Sequence, residues 1–286
     1  LYNGFAASTG LDGTSFFYSN PLQVRDEHQA SDEEESGQRL PWYACACCPP
    51  NVMRLVASLH HYLATTDVDG VHLHQYTDAD LTLSIAGGDV NLSMRTRYPW
   101  AGRVEIRVAE SPSSAWTLSL RVPGWTAPAS VNVNGTEPAS TSDRGYLRIQ
   151  RVWAPGDTVI LDLDMAPRVT TANPKVDAIR GCVAIERGPL VYCIEATDNL
   201  GVDFSAVALD VREPPKDAHL DAWPDVPAIA ARGEMRIQPN AQQTLYVPAD
   251  AHEEVITVPV HLTAIPYYLW ANRANGPMRI WLPSSG

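Results

Sequence analysis

The sequence predicts a mainly β protein of two domains, with one helical stretch near its start. Three observations carry that prediction. From residue 70 to about residue 163, short runs alternate apolar and polar residues at roughly ten-residue spacing, with Pro, Gly and Asn between them. A second alternating pair, Cys182-Val183-Ala184-Ile185-Glu186 and Leu190-Val191-Tyr192-Cys193-Ile194-Glu195, stands across Arg187-Gly188-Pro189. Residues 51–65 instead place Val52, Leu55, Val56, Leu59, Tyr62 and Leu63 at helical spacing. The length of 286 residues fits two domains, and 45% hydrophobic with 19% charged residues places the chain among globular proteins.

In chain order, Gly10-Leu11-Asp12-Gly13 reads as a tight turn before the extended Phe16-Phe17-Tyr18-Ser19-Asn20-Pro21. Residues 26–40 are polar, and Glu33-Glu34-Glu35 within them reads as a solvated loop. Next comes Cys45-Ala46-Cys47-Cys48-Pro49-Pro50-Asn51, directly before the helical stretch. The two prolines suit the first turn of a helix, where a missing N–H leaves no bond unmade. The thiols therefore stand at or just before a helix N-terminus, and Cys48 meets the positive end of the dipole, which favours thiolate.

The alternating runs that follow include Val71–Tyr76, Leu81–Ile85, Val90–Met94, Val104–Val108, Trp116–Leu120, Val131–Val133, Tyr146–Ile149 and Val159–Leu163. Asn134-Gly135 is a hairpin-turn signal, and Trp153-Ala154-Pro155-Gly156-Asp157 a turn before the last run. Such spacing predicts a β-sandwich. A boundary falls between Pro167 and Lys175. A looser, Pro- and Ala-rich region runs from about 200 to 250. The tail from Leu262 to Pro283 is too apolar to hang free, so it is expected to add strands to an earlier domain. No internal repeat is present.

Charge narrows the partners. The formal net charge is −12, which argues against nucleic acid and anionic membrane, since both call for a basic face. No apolar run approaches the roughly 20 residues of a membrane span. Five cysteines, an odd number spread unlike a secreted disulfide framework, point to a reducing, cytoplasmic setting or to a protecting metal. The opening Leu1-Tyr2-Asn3-Gly4-Phe5 reads as the inside of a domain, hence as an N-terminally truncated chain.

Cys45, Cys47 and Cys48 admit a zinc site, a nucleophilic thiolate, both, or a packed thiol cluster. A structural zinc calls for four ligands, and no second cysteine pair is present. His60, His61, His72 and His74 are candidates by composition only and read as structural or surface residues. Cys182 and Cys193 read as packed small residues. Glu186 and Glu195 read as sheet-face charges rather than a catalytic pair. Trp100, Trp116, Trp125, Trp153 and Trp270 suit a sugar surface or a sandwich core equally.

These stretches carry a resemblance. The Cys-x-Cys-Cys-Pro-Pro-Asn element, Leu11-Asp12-Gly13 with Phe16–Pro21, Arg187–Tyr192 and Leu262–Arg273 make the chain similar to the C-terminal part of glycoside hydrolase family 127, the β-L-arabinofuranosidases. The resemblance implies a C-terminal remnant of an (α/α)6 catalytic barrel over residues 1–66. It implies one β-sandwich from 67–168 plus 263–286 and a second over 169–262. It also implies retaining hydrolysis of a terminal β-L-arabinofuranoside in an L-arabinofuranose-containing oligosaccharide or related plant glycan. Cys47 is then the nucleophile and, with Cys48, a zinc ligand. Tyr18 is a substrate-side residue, and Cys45 belongs to the motif without a ligand role.

The family's other ligands, a Glu and a Cys, and its general acid/base Glu stand upstream of the motif, and no Glu-x-Cys occurs in residues 1–44. The expectation is an incomplete Zn2+ site, no turnover by this chain alone, and exposed apolar surface on the barrel remnant. The alternative is a non-catalytic β-sandwich module that binds carbohydrate or mediates domain contacts. Oligomeric state is open, a homodimer included.

Overall fold

The computed structural model describes residues 1–26, 37–45, 47–126, 129–237, 246 and 255–286. The Glu33-Glu34-Glu35 run lies outside the described residues. Strands dominate, and the chain divides into two compact units: Leu1–Ala44 with Ala166–Gly286, and Cys45–Met165.

The first unit opens with a short helix α1 (Gly4–Ser8) and strand β1 (Gln23–Val24). The middle unit starts with helix α2 (Cys48–Ser58). Helical spacing continues past Ser58 only as a 3-10 turn over Leu59–Tyr62. Ten strands follow: β2 (Ala64–Thr66), β3 (Gly70–Leu73), β4 (Ala79–Ile85), β5 (Gly88–Thr96), β6 (Arg103–Glu110), β7 (Trp116–Arg121), β8 (Ser130–Val133), β9 (Thr141–Asp143), β10 (Tyr146–Arg151) and β11 (Thr158–Asp162). They form two five-stranded sheets, β2-β3-β7-β10-β9 and β4-β5-β6-β11-β8. Only the β3–β7 pair in them is parallel.

Alternation explains why the two sheets pack. Along β6, Val104, Ile106 and Val108 are buried while Arg103, Glu105 and Arg107 face water. The inward residues of β3, β5, β6, β7, β10 and β11 share one core, so the unit is a β-sandwich. Each fully buried aliphatic side chain contributes about 1.5–3 kcal/mol. Trp116 and Trp153 anchor one part of this core, and Trp153 Nε1 donates to the Trp116 carbonyl at 3.1 Å. Asn134 and Gly135 form the expected tight turn, both at positive φ. However, β8 before that turn pairs with β11, and the next two strands, β9 and β10, join the other sheet.

Nine strands complete the first unit: β12 (Pro167–Thr171), β13 (Cys182–Arg187), β14 (Leu190–Glu195), β15 (Val207–Asp210), β16 (Lys216–Ala218), β17 (Ala228–Ile237), β18 (Ile256–Pro266), β19 (Met278–Arg279) and β20 (Leu282–Ser285). With β1 they make a ten-stranded sheet. Pairing of β13 with β14 closes a ring, β14-β18-β17-β15-β20-β13.

The tail is placed differently from the expectation. Residues 263–286 add no strand to the middle sandwich. β18 pairs with β17 and β14, β19 with β1 and β14, and β20 with β13 and β15. The cause is local. The β17–β18 ladder runs from Ile229↔Ala264 to Ile237↔Ile256, and a partner close in sequence is reached at lower loop-closure entropy. The apolar tail residues Ile265, Tyr267, Leu269, Trp270, Met278 and Ile280 then pack with Phe17, Val24, Ala184 and Cys193 in this unit's own core.

The stretch expected as one remnant over residues 1–66 is divided between the units. Residues 1–44 are tied to the C-terminal strands. Asn3 Nδ2 donates to the Pro189 carbonyl at 2.9 Å, and its Oδ1 accepts from the Val191 N–H at 2.9 Å. Tyr267 OH donates to the Pro21 carbonyl at 2.7 Å. No helix among the described residues is long and apolar enough to cross a membrane.

Candidate functional site

The thiol cluster takes its shape from the start of α2. Cys47 is the N-cap residue and Cys48 opens the helix, with Pro49 and Pro50 in the first turn. Proline fixes φ near its helical value, so the turn is rigid where the thiols attach. Asn51 Nδ2 donates to the Cys47 carbonyl at 3.0 Å, and Arg54 Nη1 donates to Asn51 Oδ1 at 2.8 Å. The result is convergence: Cys47 Sγ and Cys48 Sγ stand 3.5 Å apart. That is well beyond the roughly 2.05 Å of a disulfide bond. Cys45 and Cys47 are exposed and Cys48 is half-buried. None of the residues of α2 is buried, and Met53 and Val56 are more than half exposed on it.

The spacing of the two sulfurs bears on zinc. Two sulfurs each about 2.3 Å from one tetrahedral zinc stand about 3.8 Å apart. The Cys47 and Cys48 sulfurs, 3.5 Å apart, stand slightly closer than that, within a small side-chain adjustment of two corners of such a site. Among the described residues no group of three or more His, Cys, Asp or Glu side chains is gathered in metal-binding geometry.

Tyr18 belongs to the other unit, and its surroundings explain its order. Its ring lies 5.4 Å from that of Tyr43, which also packs on Phe16 at 5.0 Å. Tyr43 OH donates to the Phe16 carbonyl at 3.1 Å. Phe17 stacks on Trp270 at 4.9 Å, and the Arg39 guanidinium lies over Phe17 at 4.6 Å. Arg39 also donates to the carbonyls of Ala7 and Trp270. Arg39 and Tyr43 carry no local sequence signal, because their partners are backbone carbonyls and rings distant in the chain.

The four histidines take structural roles or lie at the surface. His60 and His61 are exposed neighbours in the 3-10 turn. His72 Nε2 meets Asp67 Oδ2 at 2.8 Å. His74 is bonded at both nitrogens, to Tyr146 OH at 2.6 Å and Thr65 Oγ1 at 2.8 Å, which fastens edge strand β2 to the sheet. Burial, and then the neighbouring His72 and Arg121, hold His74 below the usual imidazole range. The unfolded chain therefore binds this proton more readily than the folded one. Its stabilising contribution is full at neutral pH and is lost as pH falls through the ordinary value of about 6.5. His74→Gln is expected to flatten the dependence of sandwich stability on pH between about 7.5 and 5, read from urea midpoints.

Of the two strand glutamates, Glu186 accepts from Arg168 at 2.7 Å and Thr170 at 2.5 Å. Glu195 departs from the expectation of a sheet-face charge: it is buried and pairs with Arg273, which also pairs with Asp198. Periodicity alone could not reveal it, because its partner lies 78 residues away. Cys193 is buried in the core and burial pushes its thiol up, while Cys182 is half-buried on β13. Trp116, Trp153 and Trp270 are core residues.

Comparison with known proteins covers nearly the whole chain. Residues 1–61 match the beta-L-arabinofuranosidase GH127 catalytic domain. Residues 70–165 match the beta-L-arabinofuranosidase GH127 middle domain, and residues 167–283 the glycoside hydrolase family 127 C-terminal domain. A non-reducing end beta-L-arabinofuranosidase of Bifidobacterium longum is 33% identical over 98% of this chain and 44% of its own length. A GH127 beta-L-arabinofuranosidase from Geobacillus stearothermophilus superposes with a TM-score of 0.88 at 36% identity, over 99% of this chain and 45% of that one. A GH127 beta-arabinofuranosidase superposes at 0.83 with 33% identity, over 99% and 44%. The chain thus spans less than half the length of these relatives. Three consecutive family matches and a shared fold over almost every residue show that the chain belongs to glycoside hydrolase family 127.

Proposed function

We propose that residues 1–286 are the thiol-bearing portion of a retaining β-L-arabinofuranosidase, with Cys47 as nucleophile and Cys48 beside it as a metal ligand. The observation that carries this reading is the convergence of two sulfurs, 3.5 Å apart, at the N-terminus of α2. A zinc ion bound by both would hold them deprotonated near neutral pH.

The chain's own groups supply the rest of what it contributes. The positive end of the α2 dipole favours negative charge at both sulfurs. Pro49, Pro50 and the Asn51 amide fix the backbone that aims Cys47. A thiolate is a strong nucleophile at carbon. Attack of Cys47 Sγ on the anomeric carbon breaks the glycosidic bond, and the aglycone leaves as an alcohol with a proton from the acid/base carboxyl group. Water, giving a proton back to that carboxylate, then displaces the sulfur from the thioglycosyl enzyme as thiolate. Two inversions leave the configuration retained, the outcome that other glycosidases reach with a carboxylate nucleophile. The substrate is the terminal L-arabinofuranose of a neutral glycan, compatible with a chain of net charge −12.

In this reading the acid/base carboxylate and the remaining ligands come from the part of the relatives that this chain does not match. Residues 1–286 alone then bind zinc weakly and do not turn over. An aryl β-L-arabinofuranoside assay tests both halves. The 286-residue chain should release no aglycone, and a longer protein containing it should. Cys47→Ser should abolish that activity, and full hydrolysis by the variant would reject Cys47 as nucleophile. Saturable oligosaccharide binding by the 286-residue chain, with no activity in the longer protein, would favour a binding module.

A further inference from the structure

Side chains at adjacent positions of a helix point in directions about 100° apart and do not face each other. Cys47 and Cys48 nevertheless bring their sulfurs to 3.5 Å, although the Cys47 backbone, at φ -72 and ψ -32, is already helical. The prolines of the first turn, the Asn51 amide on the Cys47 carbonyl and Arg54 on Asn51 hold that arrangement. Cys47 is exposed and Cys48 is half-buried, so reagent reaches the pair from solvent. We propose that Cys47 and Cys48 form a preorganised dithiol that captures trivalent organoarsenic through both sulfurs. This goes beyond the glycosidase reading and does not depend on it.

The chemistry balances without an oxidant. An arsine oxide, R–As=O, meets two thiols. Each thiol gives its proton to the oxygen, two As–S bonds form, the As=O bond breaks and one water leaves. Arsenic stays trivalent throughout. Soft sulfur donors suit a soft acceptor. The second As–S bond closes within the protein, so it forms at high effective concentration and resists displacement by a monothiol. Little rotamer freedom is lost on closure, because the two sulfurs already stand 3.5 Å apart. Cys193 is buried in the core and Cys182 is half-buried in a strand, which leaves Cys45 as the exposed competitor.

The test treats the 286-residue chain with phenylarsine oxide in excess glutathione and reads the intact mass. One adduct is expected, equal to the reagent less one water, and 1,2-ethanedithiol should remove it. Cys47→Ser and Cys48→Ser should each lose the glutathione-resistant adduct, and Cys45→Ser should keep it. Fragmentation of the tryptic peptide Leu40–Arg54 from the unsubstituted protein should find Cys47 and Cys48 blocked and Cys45 open to alkylation. An adduct that survives in either of the first two variants, is lost in Cys45→Ser, or maps to Cys45, Cys182 or Cys193 overturns the proposal. So does the absence of any glutathione-resistant adduct.

Discussion

Gly70→Ala is expected to destabilise the middle sandwich by about 3–5 kcal/mol. Two independent penalties meet at this residue. Gly70 sits at φ +150, a conformation that L side chains rarely adopt. A Cβ there would overlap the Thr117 carbonyl oxygen and lie 2.8 Å from the Thr117 nitrogen. Neither neighbour can give way. Thr117 belongs to β7, which lies between β3 and β10 and carries the buried Trp116, Leu118 and Leu120. The approach is fixed from the other side too: Asp67 Oδ1 accepts from Gly70 N at 3.0 Å, and Thr117 N donates to the Asp69 carbonyl at 2.9 Å.

Gly135→Ala is the matched control. Gly135 also has positive φ, at +84, but nothing lies within 4 Å of an added Cβ. It isolates the backbone penalty, about 1–2 kcal/mol. Urea unfolding of the full chain, followed by fluorescence of the Trp116–Trp153 pair, compares the two. Equal losses would show that the contact with Thr117 carries no weight.

Arg273→Met should cost the first unit about 3–5 kcal/mol, the scale for removing one partner of a buried ion pair. Glu195 and Asp198 both pair with Arg273 and have side chains only 3% and 7% exposed. Trp223 covers the face of the guanidinium, 4.3 Å from its ring centre. Without the arginine, two carboxylates are left side by side in apolar surroundings. Burial already holds Glu195 above the usual carboxylate range, against the pull of Arg273.

The sign follows from that shift. The folded state keeps the Glu195 proton more readily than the unfolded chain, so this group favours folding in acid. Its contribution is lost as pH rises through the folded pKa. Loss of Arg273 widens that difference. The Arg273→Met deficit should therefore shrink on going from about pH 7.5 to pH 5, as measured by urea midpoints at the two values. Adding Glu195→Gln should recover part of the loss at the higher pH. A deficit equal at both pH values would mean that lost packing, not buried charge, is the cause.

Much of the fold is legible in the residues themselves. Val104, Ile106 and Val108 alternate with charged neighbours, and that period-2 pattern fixes which face of β6 is buried. Asn134-Gly135 marks its turn, because both positions call for positive φ. The cysteine motif announces itself by density, and Pro49 and Pro50 show where the helix begins. Partner choice was harder to read. The same alternation in β8 suits β10 or β11 equally, and the apolar tail suits either domain by composition alone. Glu195 looks like a surface charge until Arg273 is brought to it.

By itself the sequence determined the β class, the helix start at the thiols and the family to which they belong. These follow from periodicity, proline geometry and a rare motif, all of them local. Only the tertiary structure decided that residues 263–286 close the C-terminal sheet and that residues 1–44 pack on that unit. It also decided that the Cys47 and Cys48 sulfurs converge. Pairings between distant segments depend on which loops close at least entropic cost and which cores fill without voids, and both are properties of the whole chain in space.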